Sequence, residues 1–451
     1  MKRNVTLITA VSIVVTNMIG TGILTTPGVL SSYLTGTGQV MLVWIAGGII
    51  ALLGAVVYGQ MGSLMPHSGG EFHYLSRIYH PKLGMAAGWV SVIAGFAGPI
   101  ALSAMAFSKY MMNLPFVHQL FSDTISVDLR EKIIALLLIF SLSLFHIFRK
   151  HTALNFQVVI TVFLIAFLLL ISFWGFNYSM DSHMQSESSS YSGIEKNFGM
   201  ALLLSVYSYT GWNASCYFAG EIRNPKRNLP LSLFLGVSLV MGLYLAVNYG
   251  LMNVLGIQQL SGQVDFLSEL GNKLSGRIGS QLVSATVLVI LLASISSMIY
   301  TGSRIPLLKK KSISGQHPDL GRKGIIKMYV LQISIALLFI LFTGFLQLLL
   351  ILTFVLTFFS ILTAFGIFLL PWKRLRVSKI HEELVKFSAA VLLVVLVWLV
   401  SNSLGEFRDI EFWTLLIATL TFVGFVIFRF FRKRFGKYEV NKFNIDLAKS
   451  K

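Results

Sequence analysis

Apolar segments of about twenty residues recur along the whole chain and are separated by short polar stretches. A segment of this length crosses the roughly 30 Å hydrocarbon core of a bilayer as an α-helix. Strands of a membrane barrel would be about half as long and would alternate between apolar and polar positions. The pattern predicts about twelve membrane-spanning helices, at residues 5–33, 39–64, 84–112, 131–149, 152–175, 198–219, 229–254, 278–303, 325–344, 346–370, 387–403 and 410–431.

Composition assigns the chain to an all-α polytopic membrane class. Hydrophobic residues make up 55% of the 451 positions, charged residues 12%, and the mean hydropathy is +0.75. This apolar content exceeds what a soluble fold of the same length buries, so a bilayer is the expected solvent. We predict one membrane domain over residues 1–451, without a soluble module.

The net charge of +18 raises the question of a nucleic-acid partner, which the positions of the basic residues answer. Most of the 36 lysines and arginines fall at the N-terminus, in the even-numbered loops and at the C-terminus. This is the positive-inside pattern. It predicts an even number of spans, cytoplasmic termini, a location in the plasma or inner membrane and no nucleic-acid partner. The basic residues 429–434 are expected to contact anionic lipid headgroups.

Two predicted helices contain residues that a stable span avoids. The first carries Ile19-Gly20-Thr21-Gly22-Ile23, and the sixth carries Ser208-Tyr209-Thr210-Gly211. Each glycine costs a helix interior about 1 kcal/mol relative to alanine, and lipid cannot satisfy the amides of an unwound turn. Because helices 1 and 6 are five apart, they enter the membrane from opposite sides, as in inverted-repeat transporters with broken helices. The alternative is that the glycines only allow close helix packing.

An unwound first helix would present groups that suit an amino-acid zwitterion. Free N–H groups of Thr21, Gly22 and Ile23, at the positive end of a half-helix, suit a carboxylate. The Thr21 hydroxyl would add one donor. Carbonyls of residues 17–19 and of residues 207–208 suit an ammonium group.

Three motifs resemble those of the amino acid–polyamine–organocation superfamily and are most similar to its L-type amino-acid transporter branch. They lie at the first helix, after the second helix and at the sixth helix. They read Gly20-Thr21-Gly22-Ile23-Leu24 with Pro27-Gly28; Met65-Pro66-His67-Ser68-Gly69-Gly70-Glu71-Phe72-His73-Tyr74-Leu75; and Tyr207-Ser208-Tyr209-Thr210-Gly211-Trp212-Asn213 with Glu221 and Asn224-Pro225.

The resemblance implies a leucine-transporter-type fold of two inverted five-helix repeats, with helices 1 and 6 broken. The repeats would cover 1–176 and 198–371, followed by two further helices over 386–432 and a cytoplasmic tail over 433–451. The resemblance assigns Tyr207 as a gate over the substrate and Trp212 and Asn213 as supports of the unwound segment. The complete predicted substrate site is Ile19, Gly20, Thr21, Gly22, Ile23, Tyr207, Ser208, Thr210 and Gly211.

Two positions depart from the pattern of the family. Leu164 stands where many relatives place a lysine that bridges helices 1 and 8, so the coupling role of that lysine does not transfer. In the predicted eighth helix, Ser296 replaces an asparagine that is common in the branch. The hydroxyls of Ser296 and Ser297 are a candidate sodium site because oxygen ligands suit a hard cation. Helix-packing serines are the alternative.

The predicted spans contain no central acidic or basic residue, although intramembrane charges often mark ion pathways. A cationic side chain in the pocket would need an acidic partner, so neutral amino acids are favoured. Charged residues after helices 2 and 6 are either solvated loop residues or gate residues that pair when the inner side closes. They are Glu71, Arg77, Glu221, Arg223 and Arg227.

The pattern favours a secondary transporter that moves small neutral L-amino acids by alternating access, through exchange or Na⁺- or H⁺-coupled uptake. An amino-acid sensor on the same fold, or a carrier of another amine-containing metabolite, would need the same pocket. An enzyme is not expected, since no catalytic or metal-binding motif occurs at membrane depth. No resident cofactor or metal is expected. Cys216 is the only cysteine, so a disulfide-linked partner is not expected either.

Overall fold

The computed structural model describes residues 3–115, 117, 121, 125–148, 153–177, 197–302, 321–372 and 378–403. The described chain is helical, and its only β-type pairing is an isolated bridge between Val5 and Ile222. The α-helices are, in chain order, α1 (Leu7–Met18), α2 (Thr21–Ser31), α3 (Thr37–Leu64), α4 (Glu71–Ile78), α5 (Pro81–Val90), α6 (Gly98–Met112), α7 (Val127–Phe148), α8 (Ala153–Asn177), α9 (Phe198–Ser208), α10 (Ala214–Tyr217), α11 (Pro225–Val254), α12 (Gly256–Leu260), α13 (Phe266–Gly302), α14 (Gly321–Phe342), α15 (Phe345–Phe365) and α16 (Lys379–Ser403).

Seven helical segments of the described chain are long and apolar enough to cross a membrane, and three shorter helices are also apolar. Large apolar side chains on the outside of the bundle, such as Phe173, Phe342 and Val394, are more than half exposed, as lipid-facing positions require. The chain is therefore a multi-pass membrane protein. The predicted span 410–431 lies outside the described residues, so the number twelve stays a prediction.

The broken first helix is held in the centre of the bundle by long neighbours. Helix α11 packs along α3, α1 and α8, and α13 packs along α6. The N-terminal residue Val5 exchanges backbone hydrogen bonds with the segment after the sixth span: its N–H donates to Glu221 O at 3.0 Å, and its O accepts from Arg223 N at 2.9 Å. The N-terminus and that segment thus lie at the same end of the bundle, as the predicted topology requires.

Three segments differ from the sequence prediction. The third span contains a π-helical turn, Ser91–Ala97, between α5 and α6. The segment after the second span is not a solvated loop, because it forms α4, whose residues 71–76 are buried. Helix α13 begins twelve residues before the predicted span and is kinked at Ser275 and Gly276, where the backbone leaves helical geometry.

Candidate substrate-binding site

The first helix is interrupted in the middle of the bundle. Helix α1 ends at Met18, and α2 begins at Thr21 after the linking residues Ile19 and Gly20. The first amides of a helix have no acceptor within that helix. Here the N–H of Leu24 is the first to bond back, to Gly20 O at 3.4 Å. The amides of residues 21–23 therefore point out of the start of α2, at the positive end of its dipole.

The sixth span is interrupted between Ser208 and Ala214, the residues that end α9 and begin α10. The link turns at Gly211, whose φ of +94° is a conformation that L side chains rarely adopt. Thr210 stabilises the turn, since its N–H and its hydroxyl both donate to Tyr207 O, at 2.8 and 2.7 Å. The second break is thus a defined turn with its own hydrogen bonds.

The two breaks contact each other backbone to backbone. A Cβ atom placed on Gly22 would lie 2.6 Å from Ser208 Cα and 2.9 Å from Ser208 O. A Cβ atom on Gly211 would lie 2.5 Å from Asn17 O. Carbon atoms normally approach to about 3.5–4.0 Å, so neither position accepts a side chain without displacing the other break. Glycine at both sites allows the two breaks to form a single site.

Tyr244 of α11 joins the breaks through its hydroxyl group. Its Oη lies 2.7 Å from Met18 O and 3.2 Å from Ser208 O, and its single proton is shared between these two carbonyls. Both are carbonyls that the sequence assigned to an ammonium group. Each carbonyl oxygen has a second lone pair, so the hydroxyl orients these acceptors and leaves one position on each.

A cavity of about 100 Å³ lies at the junction of the breaks. An engineered apolar cavity of about 150 Å³ holds benzene, so a space of this size suits a small ligand. Its walls come from both breaks, α4, the third span and α10, with one residue from α13 and two from α15. The lining residues are Asn17, Met18, Gly20, Thr21, Gly22, Glu71, Gly95, Phe96, Pro99, Tyr207, Ser208, Thr210, Gly211, Trp212, Asn213, Ala214, Tyr217, Met298, Leu356 and Ser360.

Most of the predicted site residues lie on this cavity, and two do not. Ile19 and Ile23 are fully buried in helix packing and do not line it. The Thr21 hydroxyl is hydrogen-bonded to Ser103 Oγ of α6. This hydrogen bond connects α2 to the third span. Because the hydroxyl is already paired, the backbone amide is the group of Thr21 that can bind a ligand.

The predicted gate and support residues Tyr207, Trp212 and Asn213 all line the cavity. The Trp212 ring lies edge to face with the ring of Tyr58, with centroids 4.5 Å apart. The indole also covers Gly54 of α3, where a Cβ atom would approach it to 2.7 Å. The absence of a side chain at Gly54 therefore sets where Trp212 packs.

Sequence reasoning did not identify the residues with which the third span lines the cavity. Gly95 and Phe96 lie in the π-helical turn and Pro99 follows it. π-Helical turns occur frequently at functional sites because they re-aim side chains. The only signal in the sequence is the run Gly95-Phe96-Ala97-Gly98-Pro99, which is a poor helix former.

Glu71 is the acidic residue among the residues that line the cavity. It begins α4, is 4% exposed, and accepts a hydrogen bond of 2.5 Å from Tyr58 Oη. Burial raises the pKa of the Glu71 carboxyl from 4.5 to about 7, and the Tyr58 hydrogen bond opposes the rise. The predicted spans contain no central acidic residue, but the segment after the second span folds inward and brings this carboxyl group to the cavity wall. Of the five charged residues expected as loop or gate residues, Glu71 belongs to the site.

The serines of α13 are arranged differently from the sodium-site prediction. Ser294 faces the first break: its Oγ would lie 3.1 Å from a Cβ atom on Gly20, and it is buried without a hydrogen-bond partner among the described residues. Ser296 and Ser297 are half-buried and do not line the cavity. The sodium site at these two residues stays a prediction.

The profile of the amino acid permease family matches residues 5–431, nearly the whole chain. This protein belongs to that family. The permease is 25% identical to the serine/threonine exchanger SteT of Bacillus subtilis over 385 residues, which are 82% of this chain and 84% of the relative. It is 27% identical to amino acid transporter protein 6 of Caenorhabditis elegans, over 74% of this chain and 65% of the relative.

A human relative is also an amino-acid transporter. The permease is 27% identical to the b(0,+)-type amino acid transporter 1 over 263 residues, which are 58% of this chain and 53% of the relative. This chain thus spans about half the length of that human protein. These matches confirm the family that the three sequence motifs indicated.

Proposed function

We propose that this permease is a secondary transporter that moves small neutral L-amino acids across the cytoplasmic membrane by alternating access, with exchange as its basic mode. The observation that supports this most directly is the junction of the two breaks at Gly22 and Gly211. The junction places unpaired amides and partly used carbonyls together on one small cavity. A zwitterion supplies both charges that such a site binds.

The size of the cavity favours short side chains. The lining groups beyond the breaks are mainly apolar or aromatic, including Phe96, Met298 and Leu356. A volume of about 100 Å³ suits an amino acid with a hydroxymethyl or methyl side chain, and Ser360 adds a hydroxyl-bearing residue to the lining. The name of one relative, a serine/threonine exchanger, agrees with this preference.

The same proposal includes a topology. Both termini face the cytoplasm, the two breaks belong to inverted five-helix repeats, and the chain moves between states open to either side. The hydrogen bonds of Val5 with the segment after the sixth span support one shared side for these elements. The positive-inside charge pattern indicates that the N-terminus and this segment lie on the cytoplasmic side.

Counterflow in proteoliposomes tests the proposal. Vesicles loaded with unlabelled serine, alanine or leucine are diluted into traces of the same labelled amino acid, without an ion gradient. We expect label to accumulate most with serine or alanine, and vesicles without protein give the background. Folded protein that accumulates none of the three would refute carriage by exchange, and binding without flux would identify a sensor.

A further inference from the structure

Glu71 brings a buried, ionisable carboxyl group to the wall of the substrate cavity. Glu71 is the first residue of α4 and lines the same cavity as both helix breaks. Its single hydrogen bond within the described chain comes from Tyr58 Oη of α3. The ion pairs of the described residues do not include it.

The groups around this carboxyl do not compensate a negative charge. Helix α3 contributes the Tyr58 hydroxyl, and α10 contributes the thiol of Cys216 and the phenol of Tyr217. Helix α15 contributes only hydroxyls near Tyr58, those of Ser360 and Thr363. The 3₁₀ turn Gly366–Leu369, which also contacts α4, has no titratable side chain.

The remaining charged or titratable groups lie on α4 itself, next to it in the chain and on its neighbour α5. They are His73, Tyr74 and Arg77 of α4, Lys82 of α5, and His67 and His80, which flank α4 in the chain. The largest influence on the Glu71 carboxyl is burial, which the Tyr58 hydrogen bond opposes. The start of a short helix favours a carboxylate only weakly, whereas removal of a carboxylate from water is costly. The buried state of this residue therefore favours the neutral acid, in agreement with the raised pKa.

Helix α4 is attached directly to the broken sixth span. The N–H of Gly70, immediately before Glu71, donates to Cys216 O at 3.3 Å. Gly70 has a φ of +53°, and a Cβ atom there would lie 3.1 Å from the Tyr217 ring. Tyr217 in turn reaches the π-helical turn through a 3.1 Å hydrogen bond with Ser91. A charge on Glu71 would draw water into this contact and separate α4 from α10.

We propose that Glu71 is a proton-binding site of the transport cycle, protonated when the cytoplasmic side of the cavity is closed and ionised when that side opens. The proposal rests on the proposed function and topology. The proton leaves the carboxyl for cytoplasmic water when α4 moves away, and it returns before α4 can pack again. Transport then depends on the cytoplasmic pH, without any charge in the middle of a span.

The test is serine counterflow at equal pH on both sides, from about pH 5 to about pH 9. For the wild type we expect flux that falls as the pH rises from about 4.5, where an exposed carboxyl ionises, to about 7, where the buried carboxyl also loses its proton, and that levels off above this range. Glu71→Gln keeps a neutral side chain of the same shape, so its flux should not vary over this range. Glu383→Gln, which removes an exposed carboxylate on α16, is the matched control and should keep the wild-type profile.

The Tyr58→Phe variant tests whether Glu71 acts through its proton or only through its packing. It keeps the ring against Trp212 and removes the hydroxyl that favours the carboxylate. The pKa of Glu71 should rise, and the fall in flux should move to higher pH. A Glu71→Gln variant that retains the wild-type pH profile would overturn the proposal. So would an inactive Glu71→Gln variant combined with an unshifted Tyr58→Phe profile, or a wild type without pH dependence.

Infrared spectroscopy detects the proton on Glu71 without measuring transport, so it tests the proton site independently of the proposed function. In infrared difference spectra of reconstituted protein, the carbonyl band of a protonated carboxyl should titrate near pH 7 and be absent from Glu71→Gln. If the wild type moves no amino acid but this band titrates, carriage fails and the proton site stands. If amino acids move but no such band titrates, the proton site fails alone.

Discussion

The junction of the two helix breaks makes Gly22→Ala the most informative single substitution. The new methyl group would lie 2.6 Å from Ser208 Cα and 2.9 Å from Ser208 O, both of them backbone atoms. Ordinary carbon contacts are about 3.5–4.0 Å, so α2 and the end of α9 must separate by about 1 Å. Overpacking of this kind costs about 1–3 kcal/mol, which the helix preference of alanine, worth about 1 kcal/mol, offsets in part.

The separation widens the site at the atoms that bind the zwitterion, so we expect the cost to fall mainly on affinity. At about 1.4 kcal/mol for each factor of ten, a net cost of up to about 2 kcal/mol weakens serine binding by up to about thirtyfold. The assay is the concentration dependence of serine counterflow, with thermal stability measured on the same preparation. The variant should remain folded, because the change is confined to one backbone contact.

Gly242→Ala is the matched control. Gly242 lies inside helix α11, and a Cβ atom there meets nothing within 4 Å. The control should raise thermal stability slightly, since alanine is the better helix former, and should leave the affinity for serine unchanged. Wild-type affinity in folded Gly22→Ala would refute the placement of the substrate at the junction.

Three further perturbations test other contacts of the site. Tyr244→Phe removes the hydroxyl that joins the two breaks and leaves buried carbonyls without that donor, so thermal unfolding should show a loss of about 1–3 kcal/mol together with weaker serine counterflow. Gly54→Ala places a methyl group 2.7 Å from the indole of Trp212 and should lower the serine flux, whereas Gly38→Ala, which meets nothing within 4 Å, should not. Since burial raises the pKa of Glu71 from 4.5 to about 7, the native state should be most stable at low pH and lose up to about 3 kcal/mol as the pH rises from about 4.5 through 7. Glu71→Gln should remove that part of the pH dependence of the melting temperature, and an unchanged dependence would contradict the burial argument.

The broken helices were predictable because they violate local rules at the same depth in corresponding helices. Two glycines at positions 20 and 22 and the polar run 208–211 are costly in a lipid-facing helix, so the sequence itself marks the places where backbone groups serve a ligand. The amides of residues 21–23 point out of the start of α2 as expected. The residue types alone were sufficient to predict the breaks, because the substrate site consists largely of backbone groups.

Side chains brought in from other helices were not predictable in the same way. Ser294 and Ser296 lie two positions apart on α13, so they face nearly opposite directions, and only the rotation of the packed helix decides which serine meets Gly20. The polar segment around Glu71 resembles a loop in composition, yet tertiary packing buries it as α4. Tertiary contacts, which no single-sequence pattern records, determine both outcomes.

Leu164, where the family resemblance led us to expect a lysine, lies beside the contact between α1 and α8. Leu164 is 1% exposed, and one turn earlier Thr161 is hydrogen-bonded to Thr16 of α1 at 2.5 Å. Helices α1 and α8 are therefore joined by two hydroxyls, which keep the same charge across the physiological pH range. This contact does not change its charge with pH, so we expect a pH effect on transport at a titratable group of the cavity instead. Glu71 is the acidic residue in the described cavity wall, and Glu71→Gln tests whether that effect exists.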